Sequence, residues 1–271
     1  MNSLEFNCVK ILTDMIENHG LIGIKTSFED EGASFNETIR LKEICNQAKT
    51  KITLKIGGPE AIRDLKDSTI IGVKGIVAPM VESAFGVKKF INAAQTHIPE
   101  DILNSVQLNI NLESVSAINS IEDIFSTKEI EKLNGITVGR VDLVSSLNKN
   151  REYVNDEEIL KMVRKVFIKT KEKNLKCCIG GAVSIDSFSF LKNLHSEGLL
   201  DKFETRYAIF DPSIALKNLP KALAKAQEFE YEWLVNKKNY YLSFANQDDK
   251  RIEMIKSRLN NSIKTSSSLS S

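Results

Sequence analysis

The chain has 271 residues, of which 42% are hydrophobic and 27% charged, and a formal net charge of +1. That is ordinary globular composition with enough apolar residues for a large core, and length alone does not demand two domains. The near-zero charge removes the electrostatic signature of a nucleic-acid or acidic-surface binder.

The N-terminal stretch MNSLEFNCVKILTDMIENHG places Glu5 and Asp14 inside its apolar pattern. It therefore lacks the uninterrupted apolar run of a signal peptide. No later stretch approaches the length of a membrane span, so no membrane partner is expected. The four cysteines, Cys8, Cys45, Cys177 and Cys178, form no C-x-x-C pair and read as buried thiols in a reducing compartment. The expected location is the cytoplasm.

Short apolar or alternating runs follow in order: 21–25, 51–58, 75–80, 106–113, 135–139, 176–181 and 205–211. Helix-like segments such as NETIRLKEICNQAK, ESAFGVKKFINAAQ and NDEEILKMVRKVFIKTKEK fill the gaps. Alternating strands and helices mean βα units and a parallel sheet. The sheet is either an open doubly wound one or a closed (β/α) barrel. No G-x-G-x-x-G follows the first strand, and polar residues occur after nearly every strand, which favours the barrel. Seven strands are legible. Either the eighth lies within the first 20 residues, or that segment is a helix and the barrel is atypical at its first strand. The barrel is assigned to residues 1–213. A helical extension over 214–260, packing on the barrel or on a partner subunit, has breaks expected at Pro220 and NKKN. The polar run 261–271 reads as a disordered tail.

In a parallel barrel, chemistry gathers at the carboxyl ends of the strands. Those ends carry Lys25 with Glu29, Asp30 and Glu31, then Lys55, Glu82, Asn111 with Glu113, Arg140 with Asp142, and Gly180 with Gly181. Glu204, Thr205 and Arg206 fall at the start of the last strand as drawn. Glu113 and Asp142 follow adjacent strands at the same relative place. Two converging carboxylates suit Mg²⁺ or Mn²⁺, which bind few protein ligands and keep several waters. His19, His97 and His195 lie in or beside helix-like segments, against a zinc site or a histidine base. In VQLNINLES the polar face runs through Asn109 and Asn111 to Glu113, with Asn111 as a candidate substrate contact. If Leu54 and Ile56 pack outward, Lys55 points into the barrel. Lys25 and Lys55 are then candidates to hold a substrate carboxylate, or to form a Schiff base. Arg140 offers a planar fork for a carboxylate, or a salt bridge to a neighbour such as Glu113. Gly57 and Gly58 permit either close approach of a ligand or a tight turn. Met80 and Phe85 read as packing residues.

Three segments resemble the HpcH/HpaI aldolase and citrate lyase family of TIM-type (β/α) barrels: GIVAPMVESAFGVKKFINAA, LNINLESVSAINSIEDI and ITVGRVDLVSSL. The resemblance spans roughly residues 20–211. It implies that Glu113 and Asp142 hold a divalent metal, Mg²⁺ or Mn²⁺, chelated by a 2-oxo acid. It further implies carbon–carbon lyase chemistry through a pyruvate-type enolate. The sequence departs from the family in three places. A family arginine is matched by Lys55. A histidine-bearing acidic segment is matched by SFEDEG, which offers Glu29, Asp30 and Glu31 for proton transfer. A proline before the metal-binding Asp is replaced by Arg140. The added cations Lys25, Lys55 and Arg140 point to a sugar acid or phosphorylated substrate. Two alternatives stay open: a Schiff-base aldolase using Lys25 or Lys55, and a non-catalytic barrel of the same family. A homo-oligomer is expected, and no nucleic-acid partner.

Overall fold

In the computed structural model, residues 1–269 are described, and for side chains residues 1–259. Eight strands form one closed barrel in chain order: β1 (Leu21–Ser27), β2 (Ile52–Lys55), β3 (Gly75–Ala78), β4 (Gln107–Asn111), β5 (Gly135–Gly139), β6 (Lys176–Gly180), β7 (Lys202–Glu204) and β8 (Ala208–Phe210). Strands β1 to β7 pair in parallel. The eighth runs backwards: β8 is antiparallel to both β7 and β1.

The first strand therefore pairs with β2 as in an ordinary parallel barrel, and the departure lies in the reversed β8, whose pairing with β1 carries a register shift between Leu21 and Gly23. The first 20 residues hold α1 (Ser3–Asn18), not a strand. A capping box starts it, with Asn2 accepting from the Glu5 backbone N–H and Glu5 accepting from that of Asn2. The strand missing from the sequence reading is β7. Its three residues, Lys-Phe-Glu, are too short and too polar to show a period. The run read as the seventh strand is β8. Thr205 to Tyr207 form the β7–β8 turn, and no helix intervenes.

Helices α2 (Phe35–Gln47), α3 (Ile62–Ile71), α4 (Ala84–His97), α5 (Arg140–Ser146), α6 (Glu157–Glu172) and α7 (Phe188–Ser196) surround the strands. Leu54 and Ile56 are fully buried, as outward-facing barrel residues under helices should be.

The last helix, α8, runs Leu219–Leu269. Pro220 sits in its first turn, where a missing N–H costs nothing. The break expected at NKKN is absent. Asn236 in that stretch is buried and accepts a 2.6 Å bond from Asn2, and Lys237 pairs with Glu37 at 3.1 Å. Those polar residues dock the helix instead of ending it. Leu219, Ala222, Ala226, Phe229 and Trp233 form its buried stripe at helical spacing, packed with α1. From Lys238 to Leu259 the helix is exposed apart from half-buried Met254. Helical backbone continues through the run expected to be disordered as far as Leu269, and residues 270–271 lie outside the described ones. Among the described residues, no helix is long and apolar enough to cross a membrane.

Phe229 is fully buried in the stripe that holds α8 to the barrel. Phe229→Ala is expected to lower unfolding stability by about 3 kcal/mol in urea denaturation, the usual cost of an emptied aromatic site.

Candidate active site

A cavity of about 790 Å³ opens among the loops that follow the strands. Lys25, Glu29, Asp30, Glu31, Lys55, Asn111, Glu113, Asp142, Glu204 and Arg206 all contribute to its lining, so most of the residues singled out in the sequence meet there. The first turns of α8 supply part of the wall, through Leu223, Gln227 and Glu230.

Glu113 is buried just beyond the end of β4. Its Oε1 accepts from the Met80 backbone N–H at 2.9 Å, and its Oε2 from Asn111 Nδ2 at 3.0 Å. Met80 takes a left-handed backbone, φ 51°, to aim that N–H. Such a conformation is costly for a residue with a Cβ and concentrates at functional sites. Gly139, at the end of β5, gives the carboxylate its space, since a Cβ there would collide with Glu113 Oε2. Burial pushes the Glu113 carboxyl up. The charge of Lys55 and both hydrogen bonds oppose this, and Asp142 adds to it. Burial also raises Asp142, with Lys55 opposing and Glu29 and Asp30 adding. Asp142 has no hydrogen-bond or ion-pair partner among the described residues. Asn111 Oδ1 is buried without a partner.

The cations are mostly committed. Lys55 Nζ lies 2.7 Å from Glu29 Oε2 and 3.9 Å from Asp30 Oδ2. Burial would lower the Lys55 ammonium, but Glu29, Glu113 and Asp30 outweigh it and hold it above the ordinary lysine value. Lys25 is ion-paired with Glu204 across the seam. Arg206, in the β7–β8 turn, pairs with Glu31 at 3.3 Å. Burial raises the Glu31 carboxyl despite Tyr207 and Arg206 beside it. Asp30 is held below its usual range: burial opposes, but the Ser27 hydroxyl and the charges of Lys55, Lys25 and Arg206 prevail. The lining carries seven carboxylates against four cations, the fourth being Arg151.

Arg140 does not reach the cavity, and its expected substrate role fails. It is fully buried, with its planar group over the Phe190 ring at 4.8 Å. All five of its N–H donors are used: on the carbonyls of Gly180, Val154 and Gly181, on Asn155 Oδ1, and on Ser187 Oγ. No carboxylate faces it, and burial lowers its pKa to about 10. The arginine staples the start of α5 to the loop after β6. Gly181 allows this at φ 78°, because a Cβ there would stand 2.7 Å from the backbone nitrogens of Arg140 and Val141.

Other expectations also shift. Asn109 bonds to strand carbonyls of Ile76 and Gln107, so of that polar face Asn111 and Glu113 line the cavity and Asn109 does not. Gly57 makes a tight turn, its N–H bonded to Asp64 Oδ2 at 2.7 Å. Met80 and Phe85, read as packing, are exposed. Met80 contributes through its backbone, which no side-chain pattern announces. Glu204 appeared at the start of a strand and in fact ends one. Only the pairing of β7 with β8 reveals that it faces the cavity.

The family model for HpcH/HpaI aldolase/citrate lyase matches residues 44–190, more than half the chain. The chain belongs to this family. Among solved structures, an HpcH/HpaI aldolase from Desulfitobacterium hafniense DCB-2 is similar at a TM-score of 0.59 and 14% identity, over 73% of this chain and 80% of that one. The citrate synthase SbnG gives 0.58 at 16% identity, over 82% and 89%. An HpcH/HpaI aldolase/citrate lyase family protein from Burkholderia cenocepacia J2315 gives 0.58 at 14% identity, over 82% and 90%. At such identities the likeness is one of fold. No curated protein sequence matches the chain. Membership places this barrel among aldolase and citrate lyase-type carbon–carbon lyases, with the departures at Lys55 and Arg140 described above.

Arg140→Lys removes most of the fork that joins three backbone carbonyls. The expected result is a loss of about 3 kcal/mol in urea denaturation, the scale for breaking a buried charged network.

Proposed function

We propose that this protein is a divalent-cation-dependent carbon–carbon lyase of the aldolase type, acting on a small 2-oxo acid such as pyruvate. The observation that carries this reading is the pair Glu113 and Asp142. They are two cavity carboxylates that follow the adjacent strands β4 and β5, neither in an ion pair among the described residues, beside the orphaned Asn111 Oδ1. Acidic groups outnumber basic ones around them. A buried carboxylate surplus is tolerated when a cation joins it. Among the described residues, no group of three or more His, Cys, Asp or Glu converges as a closed metal site. Two carboxylates and open positions suit Mg²⁺ or Mn²⁺ better than zinc.

When bound, such an ion supplies a Lewis acid for the 2-oxo oxygen. The chain's own residues do the rest. Glu113 and Asp142 would hold the ion, and Met80 N–H with Asn111 Nδ2 fixes the orientation of Glu113. Asn111 Oδ1 is left to accept from a water or a substrate hydroxyl. Lys55, kept protonated by its acidic neighbours, offers an ammonium for the substrate carboxylate, while Glu29 and Asp30 hold that ammonium in place.

The Schiff-base alternative has less support, because an imine forms from a neutral amine and both Lys25 and Lys55 sit in ion pairs. Lys25, Lys55 and Arg206 are each balanced by a carboxylate of the chain itself. That favours a small 2-oxo acid over a phosphorylated compound or sugar acid.

Lyase assays with 2-oxo acids should lose activity on EDTA treatment and recover it with Mg²⁺. Activity indifferent to chelation would sink the reading. Asp142→Asn is expected to abolish Mg²⁺ binding in calorimetric titration, while the cation-free variant melts no lower than wild type, since it loses a carboxylate that burial disfavours. The sign of the pH effect follows from the raised Glu113 and Asp142 carboxyls. Their protonated forms persist above the ordinary carboxylate range, and a cation needs the ionised forms. Mg²⁺ affinity should therefore be weaker at about pH 5.5 than at about pH 7.5.

A further inference from the structure

One buried charged pair has no task in this scheme. Lys25 on β1 and Glu204 on β7 flank the reversed strand β8 and meet across it, with side chains 16% and 9% exposed. Barrel closure does not require them, because the backbone ladders of β7–β8 and β8–β1 already close the ring. Nor is a buried ion pair an efficient stabiliser, since desolvation offsets most of the attraction and apolar residues of similar size do as well.

The two charges face the cavity that holds Glu113 and Asp142. In the ring order, β4 lies three strands from β1 and β5 lies two from β7, so the pair stands across the cavity from Glu113 and Asp142. A substrate anchored on the β4–β5 side presents its other end to this wall.

The two oxygens of Glu204 differ. Oε1 is engaged by the Lys25 ammonium. Oε2 has only the Cys178 thiol, a weak donor 3.9 Å away. Gly180 leaves the carboxylate room, since a Cβ there would come within 3.0 Å of Oε1. Of the competing acids, Glu31 is engaged by Arg206 and Tyr207, and Glu29 is paired with Lys55 on the β1–β2 side.

We infer that Glu204, held in place by Lys25, is the proton-transfer group that serves the methyl carbon of the bound 2-oxo acid; this rests on the reading under Proposed function. In the enolising direction, the C3–H bond breaks and the proton goes to Glu204 Oε2. The bonding pair becomes the C2–C3 double bond, and the negative charge collects on the C2 oxygen. In the reverse direction the protonated carboxyl returns the proton to C3. No electrons are exchanged with another reagent.

The test uses the full chain with Mg²⁺ and two probes. Pyruvate in D₂O reports exchange of methyl protons by NMR, which needs a base. Oxaloacetate reports decarboxylation, in which the C3–C4 bond supplies the electron pair and no proton is abstracted. For Glu204→Gln, exchange should fall about 100-fold while decarboxylation falls less than about 5-fold. Glu204→Asp, which keeps the carboxylate, should recover part of the exchange. Exchange in Glu204→Gln close to wild type would overturn the assignment. Equal loss of both reactions would also overturn it, as that is what a merely structural pair predicts. Should Glu204→Gln fail to fold, Glu204→Asp is read by the same criterion, selective loss of exchange against parallel loss. A wild-type protein inactive with both probes overturns the 2-oxo acid reading itself, an outcome distinct from failure at Glu204 alone.

Discussion

Closure of the barrel is the constraint on which the rest of this molecule depends. A parallel sheet that ends at β7 would leave two rows of unpaired backbone groups, one on β7 and one on β1. A three-residue strand fills that gap by running backwards, with Phe203 opposite Phe210 on one side and Leu21 opposite Phe210 on the other. The stacked rings of Phe203 and Phe210, 5.2 Å apart, pack at this seam. Reversal removes the helix that a parallel connection would need. The chain then leaves β8 at the end of the barrel where β1 begins, with the Asp211 N–H bonded to the Gly20 carbonyl. From there α8 packs along α1 and lines the cavity with its first turns.

The same reversal shapes the site. A hairpin turn stands where a βα loop would otherwise be, and it carries Arg206 and Tyr207 to the acidic loop after β1. Glu31 is thereby tied down, and Glu204 is left facing Lys25. The remaining polar residues of the cavity come from ordinary βα ends. Their arrangement is one of charge separation: Lys55 with Glu29 and Asp30 on the β1–β2 side, Glu113 with Asp142 on the β4–β5 side. Glu113 is held by groups that carry no charge, the Met80 backbone amide and Asn111, with room left by the bare Cα of Gly139. Arg140 belongs to a different layer. It braces the loop after β6 from outside the cavity, and its charge is met by carbonyl dipoles, the Asn155 and Ser187 side-chain oxygens and the Phe190 face.

Much of this was legible in the chain itself. Short apolar or alternating runs bounded by helical segments located β1 to β6, because each buries a clear apolar pattern. Glu113 and Asp142 were found by their common position after adjacent strands, and Lys55 by the apolar residues on either side of it. These positions follow from alternation and spacing, which are local properties of the sequence. β7 was not legible: Lys-Phe-Glu has no period, and it is a strand only because β6 and β8 hold it.

What tertiary structure decided was direction and partnership. Residues 205–211 look the same in either orientation, and only closure on β1 determines that the strand runs backwards. Arg140 and Lys55 are both cations near strand ends. One enters the cavity and the other turns away into a shell of carbonyls, according to packing that no neighbouring residue encodes. Lys25 and Glu204 lie 179 positions apart and meet only because the ring closes. The sequence by itself determined every strand but β7, and which residues are polar and where they recur. The closed sheet decided which of those polar groups face one another, since through-space pairing depends on the ring and not on separation along the chain.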